Sequence, residues 1–301
     1  MSSSFASPAR SPARSPAATR PVVIHTIAAL REVLEAERAA GRTVALTPTL
    51  GALHAGHLAH VARAAELADT RVVSIFVNPM QFSAAEDLDR YPRTIDDDLD
   101  QLGAMGVPFV FAPSVDEMYP SGGAATHVTA GQLGSLFEGR ARPGHFDGVL
   151  TIVAKLLNIV MPDVVTFGQK DAQQLFLVQR MVSDLDFSVR VEVIATVRED
   201  DGLAISSRNR FLDAKQRRAA RVLSQALEAA ASSADRGIDA VLASSQGALM
   251  GEPLVKLDYL AIVNPATFLP VDNDFSAQAI VIIAAQVGTT RLIDNESIYL
   301  S

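Results

Sequence analysis

Between residues 44 and 194 the chain alternates short β-branched runs with segments of helical period. Residues 44–47 (VALT) form an apolar run that stops at Pro48, and residues 58–67 then set Leu58, Val61, Ala65 and Leu67 on one helical face. Residues 71–77 (RVVSIFV) read as a strand closed by Asn78-Pro79, and residues 108–111 as a further short strand. Residues 146–160 return to helical spacing at Val149, Ile152, Val153, Leu156, Leu157 and Val160, until Met161-Pro162 ends the run. A strand at 164–167, an amphipathic helix at 170–182 and a strand at 189–194 follow. Parallel strands need crossover connections, and helices are the usual ones. The succession therefore predicts an α/β fold, a Rossmann-like doubly wound parallel sheet covered on both faces. Ligands of such sheets bind beyond the carboxyl ends of the strands.

After residue 197 the texture changes. Residues 214–233 are Ala- and Arg-rich and helical, while 256–263 and 279–285 read as strands. The division expected is a larger domain over 21–197 and a smaller α+β domain over 198–301. The first 20 residues repeat the unit SPAR and hold little apolar surface to bury, which predicts a disordered tail. Their Arg- and Ser-rich, acid-poor composition also fits a transit peptide, but the frequent prolines oppose the helix such a peptide needs. Acidic residues outnumber basic ones, 34 to 26, for a net charge of -8, which argues against non-specific binding to nucleic acid or anionic membrane. No apolar run approaches the roughly 20 residues a bilayer requires. With no cysteine, disulfides and thiolate chemistry are excluded, and a cytoplasmic setting fits.

Four segments carry candidate chemistry, each just past a strand. Residues 48–57 (PTLGALHAGH) join a strand to a helix; Gly51 and Gly56 permit close backbone approach, and the helix start offers free N–H groups and the positive dipole end. His54 and His57 could both donate to one phosphate there. A zinc pair, which would need a third ligand, and a helix-start turn with incidental histidines are the alternatives. Residues 167–171 (FGQKD), followed by Gln174, set Lys170 where it can reach a phosphate or simply open a solvated helix. In residues 205–210 (ISSRNR), Ser206, Ser207 and Arg208 offer several donors to a polyphosphate, or form a polar interdomain linker. Asn78 and Gln81, in residues 76–82, suit recognition of a hydroxy acid, or belong to Asn-Pro turn chemistry.

In this order, and together with residues 91–94 (YPRT) and 144–149 (GHFDGV), these segments resemble the pantoate–β-alanine ligase family of the nucleotidylyltransferase superfamily, whose His-x-Gly-His signature is His54-Ala55-Gly56-His57 here. The resemblance runs from about residue 22 to the C-terminus. It implies an ATP-dependent ligase acting through a pantoyl-adenylate, with pantoate, β-alanine and ATP as substrates, magnesium on the phosphates, and a homodimer. It implies that His54 and His57 contact the phosphates, with a protonated His57 as proton donor. Lys170 and Arg208 would stabilise charge during adenylation, with Ser206 and Ser207 holding the departing phosphates. Leu50, Gly51, Gly56, Gly168, Gln169, Asp171, Val197 and Ile205 would complete the ATP site, and Pro48, Thr49, Asn78, Gln81 and Gln174 would bind pantoate. Asp97, Asp98 and Gln101, on adjacent helical faces, are the candidate metal-linked group; an acidic first turn is the alternative. Leu50, Ala55, Gln169, Ala172 and Ile205 depart from the residues usual in the family at those positions (Met, Glu, Glu, Tyr and Met).

Overall fold

The computed structural model describes residues 19–82, 88 and 91–301. The expected disordered tail falls, up to residue 18, outside the described residues. Elements run in the order β1 (Val22–Ile24), α1 (Ile27–Ala39), β2 (Val44–Thr49), α2 (Ala55–Leu67), β3 (Thr70–Ile75), α3 (Ile95–Ala104), β4 (Phe109–Phe111), α4 (Val115–Met118), α5 (Phe137–Ala141), α6 (His145–Val160), β5 (Val164–Gly168), α7 (Ala172–Asp184) and β6 (Arg190–Ile194). Then come α8 (Ala214–Ala220), α9 (Val222–Ala231), α10 (Ile238–Met250), β7 (Val255–Val263), β8 (Gln278–Val287) and β9 (Thr290–Tyr299).

Strands β1 to β6 form one parallel sheet in the order β1-β4-β3-β2-β5-β6. This is the doubly wound arrangement the strand–helix alternation predicts. From β2 chain order runs outward through β3 and β4 on one side and β5 and β6 on the other, with β1 added at the far edge, so the switch point lies between β2 and β5. Those two strands pair only at Ala45–Val164 and Leu46–Val165, then part. That parting explains how β2 continues through Pro48 to Thr49, two residues beyond the expected stop. The Thr43 carbonyl accepts from Thr70 of β3 and that of Thr49 from Phe76 just past β3, whereas the Val44 carbonyl accepts from Asp163 just before β5. Pro48 shares Val44's parity, so its missing N–H faces the side where no ladder remains to be broken.

Helix α6 is buried along almost its whole length, from His145 to Val160, and fills the core with Val149, Ile152, Val153, Leu156 and Leu157. Its Gly148 lets the chain at Met80 come close; a Cβ there would stand 2.2 Å from the Met80 carbonyl oxygen. On the other face of the sheet, Val61, Val73, Leu99, Leu102 and Val110 pack between α2 and α3.

The small domain is an antiparallel sheet, β7-β8-β9, with α9 and α10 packed against it. Strand β8 is apolar on both faces because both are covered. Val281, Ile283 and Ala285 meet the helices, while Ile282 joins Val263 and Phe268 against Phe137 and Phe176 of the larger domain. The single helix expected over 214–233 is broken at Arg221, whose carbonyl accepts from the Ser224 hydroxyl at 2.9 Å. Among the described residues, no helix is long and apolar enough to cross a membrane.

Candidate active site

The opening between β2 and β5 leads into a cavity of about 260 Å³. Its floor is α6, its sides are the segments that follow β2, β5 and β6, and its rim is the segment bearing Ser206 to Arg208.

The segment after β2 is shaped by an acid from another helix. Gly51 and Ala52 both take positive φ, +81° and +51°, which only glycine adopts without strain. Asp98 of α3 accepts from the N–H groups of Ala52 (3.0 Å) and Leu53 (2.8 Å), and from the Thr94 hydroxyl (3.3 Å). Its side chain is only 1% exposed. Asp97 is exposed, and Gln101 donates to the Asp97 carbonyl. Of the three residues expected to be linked to a metal, Asp98 is thus committed to holding the loop. Among the described residues no group of three or more acids and histidines is placed to hold a metal ion.

His54 caps α2, and its N–H donates to Nδ1 of His57 at 3.3 Å. The two rings stack with centroids 4.0 Å apart. Gly56 is required by that packing, since a Cβ would lie 2.9 Å from His54 Cε1. His54 Nδ1 is buried with no hydrogen-bond partner among the described residues. His60, three residues past His57, extends the row along the same helix face and lines the cavity. Its Nδ1 lies 3.3 Å from the Thr166 hydroxyl, which in turn meets that of Thr47 at 3.1 Å. Motif reading alone misses His60; the signal that finds it is the regular i, i+3, i+6 spacing.

Burial, and then the neighbouring His54 and His60, push the pKa of His57 down to about 3. Burial brings His60 to about 4, and burial together with Lys170 lowers His54. In the protein without ligand, burial thus favours the neutral form along the row. A bound anion would oppose these causes and favour the charged form.

Past β5, Lys170 and Asp171 sit in the turn before α7 rather than on the helix expected to start at residue 170. Burial raises the Asp171 pKa, but Lys170, Arg208, Arg142 and His145 outweigh it and hold the carboxyl below its ordinary range. Asp171 is the one carboxylate lining the cavity among the described residues. Gln169 lies outside the lining, its N–H donating to the Ile194 carbonyl.

Past β6, Val197 and then Ile205, Ser206, Ser207 and Arg208 reach the cavity. The Ser206 hydroxyl accepts from the Arg208 N–H at 3.2 Å. Tyr91 also lines the cavity beside this segment, hydrogen-bonded to Ser207, with its pKa raised mainly by burial.

Of the expected substrate residues, Pro48, Thr49, Gln81 and Gln174 line the cavity together with Leu50, Gly56 and Gly168. Asn78 does not. It is fully buried, donates to the Gln81 side chain (3.3 Å) and the Gly148 carbonyl (3.1 Å), and accepts from Tyr119 (2.9 Å) and Met80 (3.2 Å). With these partners it holds the Gln81 side chain in place. The Gln81 carbonyl accepts from His145 Nδ1 at 2.8 Å, and His145 Nε2 accepts from Arg142 at 2.9 Å, which fixes the ring's tautomer. Gly51 lies behind the lining.

The cavity therefore joins a helix start, two cations on separate segments, a neutral histidine row and two amide side chains at one switch point. That combination is the one expected of a nucleotide-binding α/β protein of the His-x-Gly-His type. The chain belongs to the pantoate–β-alanine ligase family, whose model matches residues 22–297. A pantothenate synthetase of Leifsonia xyli subsp. xyli is 53% identical over 284 residues, covering 91% of this chain and 99% of that protein. A crystal structure of pantothenate synthetase from Thermus thermophilus superposes with a TM-score of 0.87 at 46% identity, covering 92% of this chain and 99% of the other. A pantoate-beta-alanine ligase of Francisella tularensis, complexed with beta-gamma ATP and beta-alanine, gives a TM-score of 0.75 at 29% identity, covering 92% and 97%.

Proposed function

We propose that this chain condenses pantoate with β-alanine in two steps at the cavity between β2 and β5. In the first, a pantoate carboxylate oxygen attacks the α-phosphorus of ATP, and the bond to the departing pyrophosphate breaks. In the second, the β-alanine amine attacks the acyl carbon of pantoyl-adenylate. The acyl–phosphate bond breaks, AMP leaves, and the amine gives up a proton. The observation that carries this reading is the convergence of Lys170, Arg208 and the His54–His57 helix start on one cavity that also presents Gln81 and Gln174.

Adenylation asks the protein to align reactants and to stabilise developing charge. Lys170 faces the α-phosphate, and Ser206, Ser207 and Arg208 receive the β- and γ-phosphates. His54 and His57 donate to phosphate oxygens as the anion draws protons onto the row. Gly168, Asp171 and Val197 border the nucleoside; Gln81 and Gln174 orient pantoate over Pro48 and Thr49. Magnesium would be held chiefly by the phosphates it accompanies, Asp171 being the one carboxylate in the lining among the described residues. When bound it would neutralise phosphate charge. We place the division between the two domains at residues 197 and 198. We read the enzyme as a cytoplasmic homodimer, in keeping with its family and its lack of cysteine.

The test is pyrophosphate and AMP release from ATP, magnesium and pantoate, with and without β-alanine. Limited pyrophosphate with pantoate alone, then sustained AMP and pantothenate once β-alanine is added, supports the two-step ligase. A stable AMP-bearing product, or ATP binding without turnover, overturns it.

A further inference from the structure

Asp294 and Asn295 are adjacent on β9, in the small domain, and only 3% and 4% exposed. Neither lines the main cavity. Burying two such polar side chains is costly unless each meets partners, and both find them on the segments that carry the cavity's cations: Asn295 on backbone carbonyls, Asp294 on the Arg198 side chain. The Asn295 amide donates to the carbonyl of Gln169 at 2.9 Å and to that of Lys170 at 2.8 Å. Two carbonyls facing one amide fix which end is nitrogen. The Asn295 Oδ1 atom has no partner among the described residues, so the side chain is spent on those carbonyls.

Asp294 reaches the other segment. It accepts from both terminal nitrogens of Arg198, at 2.6 and 3.1 Å, and from the Asn295 N–H at 2.9 Å. Arg198 also donates to the Gly202 carbonyl at 3.2 Å, and it forms a β-bridge with Ala204. That hairpin leads directly into Ile205, Ser206, Ser207 and Arg208. One dipeptide thus fastens the turn that carries Lys170 and the root of the segment that carries Arg208.

We propose that Asp294 and Asn295 are positioning residues for adenylation, through which the small domain sets the spacing of Lys170 from the Ser206–Arg208 segment. The inference rests on the two-step reading above. Only the first step displaces pyrophosphate across that span; the second does not. Loosening the dipeptide should therefore slow one half-reaction and spare the other.

The experiment measures single-turnover formation of pantoyl-adenylate at saturating ATP and pantoate, and separately the reaction of supplied pantoyl-adenylate with β-alanine. Asn295→Ala should slow the first by about 100-fold, the scale expected for a misplacement near 1 Å. The second should stay within about threefold of the parent, and pantoate KM should change little. Asn295→Ser, which keeps one donor, should fall between, and serves if the alanine variant does not fold. Asp294→Asn should show the same one-sided loss with weaker ATP binding. Equal loss in both half-reactions, or adenylation within about threefold of the parent in the folded variants, overturns the proposal. If the parent enzyme forms no pantoyl-adenylate, the functional reading fails first and takes this inference with it.

Discussion

Strands β5 and β9 both reach Lys170, by opposite routes. Strand β5 (VVTFG) is apolar scaffolding that ends in a glycine and delivers Lys170 on the turn beyond it. Strand β9 (TRLIDNESIY) comes from the other sheet and holds the same residue's carbonyl with a side chain in mid-strand. In the parallel sheet, function sits past the strands, and the strands keep their apolar pattern. In the antiparallel sheet one strand is itself part of the fastening, and its pattern is broken by the polar groups that do it.

Lys170→Ala should break the comparison most sharply. Its side chain is one of two lysine or arginine cations lining the cavity among the described residues, and it stands in a turn rather than in the core. Losing it removes charge stabilisation where charge develops, for about 10²- to 10³-fold slower adenylation. The thermal midpoint should move by no more than a few degrees. Near-normal single-turnover adenylation in this variant would refute the role assigned to β5's turn.

Arg291→Ala should strike the other sheet, and stability before chemistry. Arg291 on β9 makes paired contacts to Glu138 (2.8 and 2.6 Å) and to Asp258 (3.0 and 2.7 Å). Glu138 is buried on α5, so removing the arginine strands a carboxylate between the domains. Its weaker 3.7 Å approach to Arg142 offsets only part of that loss. A loss of about 3 kcal/mol is expected by urea denaturation. An unchanged midpoint would show that the apolar contact of Phe268 with Phe137 and Phe176 joins the domains unaided.

These two effects track how much each region discloses in its residues. The doubly wound sheet was legible because β-branched runs and helical spacing agree with its loops, and the convergence of the candidate segments because each follows a strand of that sheet. Strand β9 was not, since Asp294 and Asn295 look like loop residues until their partners on another domain are known. The cavity's electrostatics were also hidden. Spacing places His54 and His57 at a helix start, but their neutrality depends on burial beneath segments far away in the chain. Asp98's role was hidden for a related reason: it stands in an acidic first turn, as the alternative reading had it, but the two N–H groups it holds belong to a loop more than forty residues earlier.

The neutral row has a consequence for stability against pH. The folded pKa values of His57 and His60, about 3 and about 4, lie below the ordinary value of 6.5. Between those limits the unfolded chain binds more protons than the folded one, so stability falls as pH drops from about 6.5 towards 4. His57 alone should cost on the order of 2–3 kcal/mol over that range. ATP should blunt the fall by favouring the charged form. Denaturant midpoints across pH 4–8, with and without ATP, check both; a flat profile would mean that the row is protonated or solvated in the folded protein.

His60→Leu sharpens that last point, with the smallest expected effect. His60 touches the threonine pair by one 3.3 Å contact, and its ring nitrogen faces Gly168. Leucine is of similar size and cannot titrate, so the variant should differ from the parent by less than about 1 kcal/mol at pH 8. At pH 5 it should be the more stable of the two by about 1–2 kcal/mol, because the parent alone must keep His60 unprotonated there. The fall that remains then belongs to His57 and His54, the two residues at the helix start. Were the variant's profile to coincide with the parent's at every pH, His60 would not be a buried neutral imidazole, and the row would end at His57.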